Sequence, residues 1–400
     1  MKRDFFQKKV LNRIHSIELV ISEKCQNACT YCYRNRLHKK SNIITVNPKT
    51  IEIFIKNLYE LFPELTKIER FELFGGEPFL DYSHIFSIFE ILNKFDNIKK
   101  VVVPTNGRLL LSLNKIDREK LLNSWNFEVG ISMSIDGING QRNLSNFGRM
   151  LGYEEIEEND EFFKNLRDLQ KEIGFGVHPM LYFGNNQNWV EQVKKWVEHG
   201  FIPYLLEIRH PLSNDEILDS VKNLVFVANY IFKNVDKKHH KRFNTIFPIK
   251  VPRGLGCSAL TTITIMPNGD IPFCHRVIEP PYVMGNVLTK QIDYSKFVNY
   301  KTFDHRNNPE CVGCPIRKIC SGQCLGAAYE YYRGYPWLNI PSICQYNLLK
   351  YYVFSEFFEI WNNFLIENRV NKKDILKALK RNNTIKEKMG KMMKEIKCGI

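Results

Sequence analysis

SIELVISEKCQNACTYCY, Ser16 to Tyr33, joins an apolar run to a loop that holds three cysteines. Ile17 to Ile21 is apolar and mostly β-branched except for Glu18, which reads as a strand. Cys25, Cys29 and Cys32 follow in the spacing CxxxCxxC, so three thiolates can converge on one metal centre from a single loop. A structural zinc site takes four protein ligands, commonly from two CxxC-type pairs, and no fourth ligand stands near this loop. A [4Fe–4S] cluster held by three cysteines keeps one iron open, which is a place for a substrate or cofactor. Three packed cysteines or a zinc site remain the plain alternative at this point.

Outward from the loop, short β-branched runs alternate with helical stretches, the pattern of repeated βα units around a parallel sheet. Strands are expected at Ile17 to Ile21, Ile68 to Phe74, Lys100 to Pro104, Glu128 to Ile135, Gly176 to Tyr182 and Pro203 to Arg209. Helices are expected at Pro48 to Leu61, Tyr82 to Lys94, Arg118 to Trp125, Phe162 to Ile173, Asn188 to Glu198 and Asp215 to Phe232. The rhythm stops at the basic stretch DKKHH (Asp236 to His240), which places a linker there. Thr262 to Met266, then ProAsnGlyAsp, then IleProPheCys read as a β-hairpin across an Asn-Gly turn. One aromatic-rich helix is expected over Ile343 to Phe364.

The chain has 400 residues, enough for two or three domains with a large core. Its 44% apolar content, with 22 Gly and 17 Pro, excludes disorder and collagen. No run approaches the roughly 18 apolar residues that cross a bilayer, so no membrane role is expected. The opening MKRDFFQKKVLNRIH has no apolar core of a secretory signal, and a cytoplasmic location is expected. In a reducing compartment, 11 cysteines point to metal or catalysis rather than disulfides.

At the end of the second strand, FELFGGEPFL carries Gly75, Gly76, Glu77 and Pro78. Glycines there permit close backbone approach to a ligand, and the adjacent carboxylate accepts from an ammonium. CxxxCxxC in the first βα loop, with GGEP one strand later, resembles the signature of the radical S-adenosylmethionine (SAM) enzymes. The resemblance implies a partial (β/α)6 TIM barrel, α/β in class, with the site at the C-terminal ends of its strands. It implies that Cys25, Cys29 and Cys32 hold a [4Fe–4S] cluster whose open iron is chelated by SAM, and that the GGEP segment binds the SAM amino group. In that family SAM cleavage yields a 5′-deoxyadenosyl radical, which removes a hydrogen from the substrate. Tyr31 would lie beside the adenine, Ser134 and Asp136 near the ribose, and Arg149, with Arg142 as its rival, at the SAM carboxylate. Read alone, Tyr31 is a packing residue, Thr105 to Gly107 a turn, and Ser134 and Asp136 ordinary strand alternation.

Seven more cysteines stand between residues 257 and 344: Cys257, Cys274, then Cys311, Cys314, Cys320 and Cys324 as CxxCxxxxxCxxxC, and Cys344. A CxxC with two later cysteines is also a zinc-ribbon-like pattern. The full series is similar to the SPASM extension of radical SAM enzymes, which holds two auxiliary clusters, three [4Fe–4S] clusters in all. That resemblance assigns Cys257, Cys274 and Cys324 to the first auxiliary cluster, and Cys311, Cys314, Cys320 and Cys344 to the second. His275 follows the second cysteine of the series, where sulfatase maturases of the family carry an Asp; it is a candidate base, a cluster cap or a donor to sulfur. Cys398 belongs to no pattern.

The expected domains are a radical SAM core over 1–235, a linker and SPASM region over 236–350, and a basic helical tail over 351–400. From Lys372 to Lys397 ten Lys/Arg face Asp374, Glu387 and Glu395, half of the chain's net charge of +14. Ile375, Leu379, Ile385, Met389, Met392 and Ile396 fall on a helical stripe, which reads as one or two basic amphipathic helices. Acidic peptides or an acidic electron donor of the flavodoxin or ferredoxin type suit that charge; nucleic acid is disfavoured because no RNA-binding module accompanies it.

By resemblance, the expected activity is radical modification of a ribosomally made precursor peptide, forming a C–C, ether or thioether cross-link, an oxidoreductase reaction. Peptide epimerisation and small-molecule oxidation are the nearest alternatives; RNA modification and a non-catalytic iron–sulfur carrier stand behind them. With the cysteine loop starting at residue 25, no N-terminal peptide-recognition domain is expected, which leaves that task to the barrel, the extension, the tail or a separate protein.

Overall fold

The computed structural model describes residues 10–25, 32, 45–107, 113–135, 160–173, 176–179, 189–201, 211–238, 240 and 257–399. In chain order the first part runs β1 (Ser16–Ser22), α1 (Pro48–Leu61), β2 (Arg70–Gly75), α2 (Tyr82–Leu92), β3 (Lys100–Thr105) and α3 (Lys115–Asn123). It continues with β4 (Glu128–Ile135), α4 (Asp160–Ile173), β5 (Gly176–Pro179), α5 (Trp189–Glu198) and α6 (Asn214–Asn234). Then come β6 (Thr262–Ile265), β7 (Asp270–Pro272), β8 (Val283–Asn286), β9 (Gln291–Ile292) and α7 (Tyr294–Lys301). The last part is helical: α8 (Leu325–Tyr331), α9 (Pro341–Phe357), α10 (Glu359–Glu367), α11 (Lys372–Leu379) and α12 (Asn383–Gly399).

Local chemistry sets these ends. Asn47 caps α1 by accepting from the Lys49 amide at 2.9 Å, and Pro48 supplies a fixed φ at the first helical position. Ser213 and Glu216 close a reciprocal capping box at the start of α6. Ile51, Phe54, Ile55, Leu58 and Leu61 give α1 one buried face.

The chain packs as two units, residues 1–178 with 258–303, and residues 179–257 with 304–400. In the first, the described strands form a sheet in the order β5-β4-β3-β2-β1-β6, with parallel pairing from β4 through β6. The α/β reading is borne out. The hairpin reading is corrected: β6 pairs in parallel with β1, Ser16 against Thr262 and Leu19 against Ile265, while β7 joins β8 and β9 in a separate antiparallel sheet. The Asn-Gly turn itself forms, with Gly269 at φ +86° and the Met266 amide donating to the Asp270 carbonyl at 2.8 Å. The strand expected at Pro203 to Arg209 lies outside the described residues.

Alternation gives this sheet two unlike faces. Ile17, Leu19, Phe71, Leu73, Val101, Val103, Ile131, Met133, Ile263 and Ile265 form a buried apolar face. On the other, register aligns Thr264, Glu18, Glu72, Val102 and Gly130 in one row, with Ser132 and Ser134 farther along β4.

In the second unit, α6 packs with α9 and α12, and α11 packs on α9. The expected single helix over Ile343 to Phe364 is two, because Phe358 takes an extended conformation (φ −130°, ψ 119°) between α9 and α10. Its ring is held there against Phe354 and Phe232, at 5.4 and 5.5 Å. The basic tail is two amphipathic helices, and all six residues of its apolar stripe are buried. Lys388 pairs with Asp215 at 2.6 Å and Lys222 with Glu395 at 3.0 Å, fastening α12 to α6. Among the described residues no helix is long and apolar enough to cross a membrane.

Gly390 sits on the exposed side of α12, with no atom within 4 Å of where a Cβ would be. Gly390→Ala is therefore expected to stabilise the second unit by about 0.5–1 kcal/mol, since glycine in a helix interior loses that much to alanine. Urea unfolding followed by circular dichroism checks this; a lower midpoint in the variant would contradict it.

Candidate functional site

β1 leads into the cysteine loop, and β2 ends beside its root. The Ser22 carbonyl accepts from the Gly76 amide and the Lys24 carbonyl from the Glu77 amide, both at 2.8 Å. A Cβ on Gly75 would stand 2.1 Å from the Ser22 oxygen, and one on Gly76 2.0 Å from the Lys24 oxygen. The two glycines thus allow close approach of backbone to backbone, at the three residues that precede Cys25. Cys25 is exposed and Cys32 half-buried. Cys29, Tyr31, Asp136, Arg142 and Arg149 lie outside the described residues.

Glu77 is 1% exposed. Its Oε1 accepts from the Phe79 amide at 3.0 Å and the Thr105 hydroxyl at 2.6 Å, and its Oε2 from the Asn106 amide at 2.7 Å. Thr105 in turn accepts from the Gly107 amide at 3.0 Å. One carboxylate therefore ties GGEP to ThrAsnGly, fixing the C-terminal ends of β2 and β3 together. Pro78 opens the short turn that follows and is buried. Ser134 is half-buried near the end of β4, on the polar face of the sheet.

That face brings the candidate base His275 together with Glu18, Thr264 and Glu72, which the sequence pattern does not single out. His275, half-buried, donates from Nδ1 to Glu18, whose carboxylate oxygens lie at 2.7 and 2.9 Å. Thr264 donates to the same carboxylate at 3.3 Å. The His275 ring lies on Phe74, with centroids 4.5 Å apart. Glu72, opposite Glu18 in the register, bonds Arg70 at 2.7 Å. Burial raises its carboxyl above the usual range and Glu18 adds to this, while Arg70 and His275 oppose it. The available signal was a single charge, Glu18, inside the otherwise apolar run SIELVIS.

The later cysteines divide between the units: Cys274 belongs to the first, and Cys257, Cys311, Cys314, Cys320, Cys324 and Cys344 to the second. Consecutive tight turns carry Cys311, Cys314 and Cys320, with Gly313 at φ +81° between the first two. Burial pushes the Cys320 thiol up to about 11, with smaller contributions from Cys314 and Cys311. Cys344 is raised by the same causes, desolvation first and then Cys320, Cys311 and Cys314. The Gly322 amide donates to the Cys320 sulfur at 3.3 Å and Asn339 Nδ2 to the Cys311 sulfur at 3.4 Å, the kind of contact that tunes a cluster. Among the described residues no three His, Cys, Asp or Glu side chains are gathered for a single metal ion.

The Radical SAM cyclopropyl synthase TigE of Paramaledivibacter caminithermalis is 25% identical over 376 aligned positions, covering 86% of this chain and 76% of that protein. The solved structure of anSMEcpe with bound AdoMet superposes with a TM-score of 0.60 at 16% identity, covering 91% of this chain and 98% of that one. SuiB of Streptococcus suis, bound to S-adenosylmethionine, gives 0.51 at 17% identity, with 83% and 75% covered. At these identities the two structures show a shared fold. The model of the Radical SAM superfamily matches residues 19–197, the stretch that begins in β1, contains the cysteine loop and GGEP, and ends in α5. Over that stretch this chain is similar to the Radical SAM superfamily.

Proposed function

We propose that this chain is a radical SAM oxidoreductase that modifies a ribosomally made peptide, closing a C–C, ether or thioether bond with net loss of two hydrogens. The observation that carries the reading is the docking of Gly75 and Gly76 on Ser22 to Lys24, which joins GGEP to the root of a three-cysteine loop inside the stretch similar to the Radical SAM superfamily. The donor chemistry fits the cofactors, since ten cysteines supply three sets of soft thiolates. When bound, a [4Fe–4S] cluster with SAM supplies the radical that abstracts hydrogen. Cys25, Cys29 and Cys32 would hold that cluster. Cys257, Cys274 and Cys324 would hold a first auxiliary cluster, and Cys311, Cys314, Cys320 and Cys344 a second. Glu77 keeps the strand ends beside the SAM site in register, and Tyr31, Ser134, Asp136 and Arg149 are its proposed contacts. A flavodoxin- or ferredoxin-type protein would deliver electrons in the cytoplasm, and leader recognition falls to this chain or to a separate protein.

His275 is the proposed proton acceptor, and Glu18 orients it. A carboxylate on Nδ1 fixes the tautomer and leaves Nε2 as the atom that handles the proton. Glu18→Gln should lower product formation about 10-fold, as expected for loss of an orienting partner, and His275→Ala about 100-fold. SAM cleavage should persist in both. If His275→Ala leaves the peptide product at its normal rate, the imidazole has no such role.

The relative TigE favours one variant of the reading, in which the new bond closes a cyclopropane within a side chain. Ring closure also removes two hydrogens, so it belongs to the same reaction class. Mass spectrometry of a candidate precursor peptide co-expressed with this chain tests both: loss of two hydrogen masses is expected, and fragmentation distinguishes a cross-link from a ring. Unchanged mass with a D-residue would replace the proposal with epimerisation.

A further inference from the structure

Lys301, the last residue of α7, is 0% exposed. Its Nζ donates to the carbonyls of Ala259, Thr262 (2.6 Å) and Phe273 (3.3 Å). An ammonium carries three protons, and three carbonyls take them, two from the stretch Ala259 to Thr262 and one from Phe273. The rings of Phe273 and Phe297 stand 5.4 and 5.7 Å from Nζ and face the charge favourably. Burying a charge is costly, and an apolar side chain would fill the same slot with less desolvation. What the ammonium adds is a three-way tie between pieces of backbone that no side chain with fewer donors could join.

The joined points identify its purpose. Ala259 stands two residues after Cys257, Phe273 immediately precedes Cys274, and Thr262 opens β6, the strand anchored on β1. We propose that Lys301 is a positioning residue for the first auxiliary cluster, holding the backbone that follows Cys257 and the backbone that precedes Cys274 at a fixed separation before iron arrives. This rests on the reading of Cys257 and Cys274 as ligands of one cluster. A cluster fixes the spacing of its sulfurs, so any backbone that must order itself on loading weakens the site, and a preformed tie removes that loss.

The test uses full-length Lys301→Met and Lys301→Gln, reconstituted anaerobically beside the unaltered protein. Iron per chain, the electron paramagnetic resonance of the reduced protein and far-ultraviolet circular dichroism are the readouts. The unaltered protein should hold about 12 irons, as three four-iron clusters. Lys301→Met should fall to about 8, with the SAM-binding cluster's signal and SAM cleavage retained. Lys301→Gln, whose amide restores two of the three donors, should regain part of the lost iron. Full iron and an unaltered signal in Lys301→Met would overturn the proposal. So would iron lost equally from every cluster together with the circular dichroism, because Lys301 would then support the whole fold; if Lys301→Met does not fold, the Gln variant decides by the same criteria. An unaltered protein that holds only about four irons would instead refute the auxiliary-cluster reading itself.

Discussion

Replacing Cys25, Cys29 and Cys32 together by alanine is expected to reduce SAM cleavage to background, measured as 5′-deoxyadenosine formed by the reduced, reconstituted protein. Thiolates are the ligands that select iron–sulfur centres, and alanine offers no electron pair in their place. The folded chain should survive the change. Cys25 is exposed and Cys32 half-buried, so neither contributes much to a core, and β1 and β2 are held by their own ladder and by Gly76 and Glu77. On the proposed ligand assignment, alanine at both Cys257 and Cys274 should leave SAM cleavage in place and remove about a third of the iron, one cluster of the proposed three. Cleavage that persists in the first variant at the level of the unaltered protein would end the assignment of the loop.

Glu77→Ala is the second large effect, and it falls on stability. The substitution strands three donors in a buried place: the Phe79 and Asn106 amides and the Thr105 hydroxyl. Each unsatisfied buried donor costs about 1–3 kcal/mol, and the sites are coupled, so a loss of roughly 3–5 kcal/mol is expected. Glu77→Gln keeps one oxygen acceptor and should lose about half as much. Urea unfolding of the cluster-free protein measures this separately from cofactor binding. A midpoint within error of the unaltered protein would show that the carboxylate is dispensable to the strand ends, and its place in GGEP would then be owed to the ligand alone.

The contrast between these two cases explains what could be read in the residues. The cysteines announce their chemistry by spacing within one loop, and α1 announces itself by Asn47, Pro48 and an apolar stripe, all local features. Glu77 is legible as a site residue, but its protein partners Thr105 and Asn106 stand at and just past the end of another strand, and only the sheet brings them near. Glu18 and His275 meet across 257 positions. No local pattern predicts that meeting; what shows locally is only that a charge sits in an apolar strand. The hairpin error has the same root. Thr262 to Ile265, an Asn-Gly turn and Asp270 to Pro272 look alike whether the first strand turns back on the second or is claimed by β1, and the competing partner was remote. Phe358 breaks a helix with neither Gly nor Pro to mark the place, its extended backbone being held by ring packing instead.

The pairing of β1 with β6 has a consequence for how the polypeptide comes to its native state. Ser16 finds Thr262 only after the intervening chain has emerged from the ribosome, so the sheet keeps an open β1 edge through most of synthesis. Closing such a long loop is slow, and an unpaired, apolar edge invites pairing with other chains. Truncation before Ser258 should therefore yield aggregated protein rather than a smaller soluble domain. The cysteine-rich segment is then no mere appendage: its first strand, β6, is the edge stave of the described sheet, paired to the strand from which the N-terminal cysteines follow.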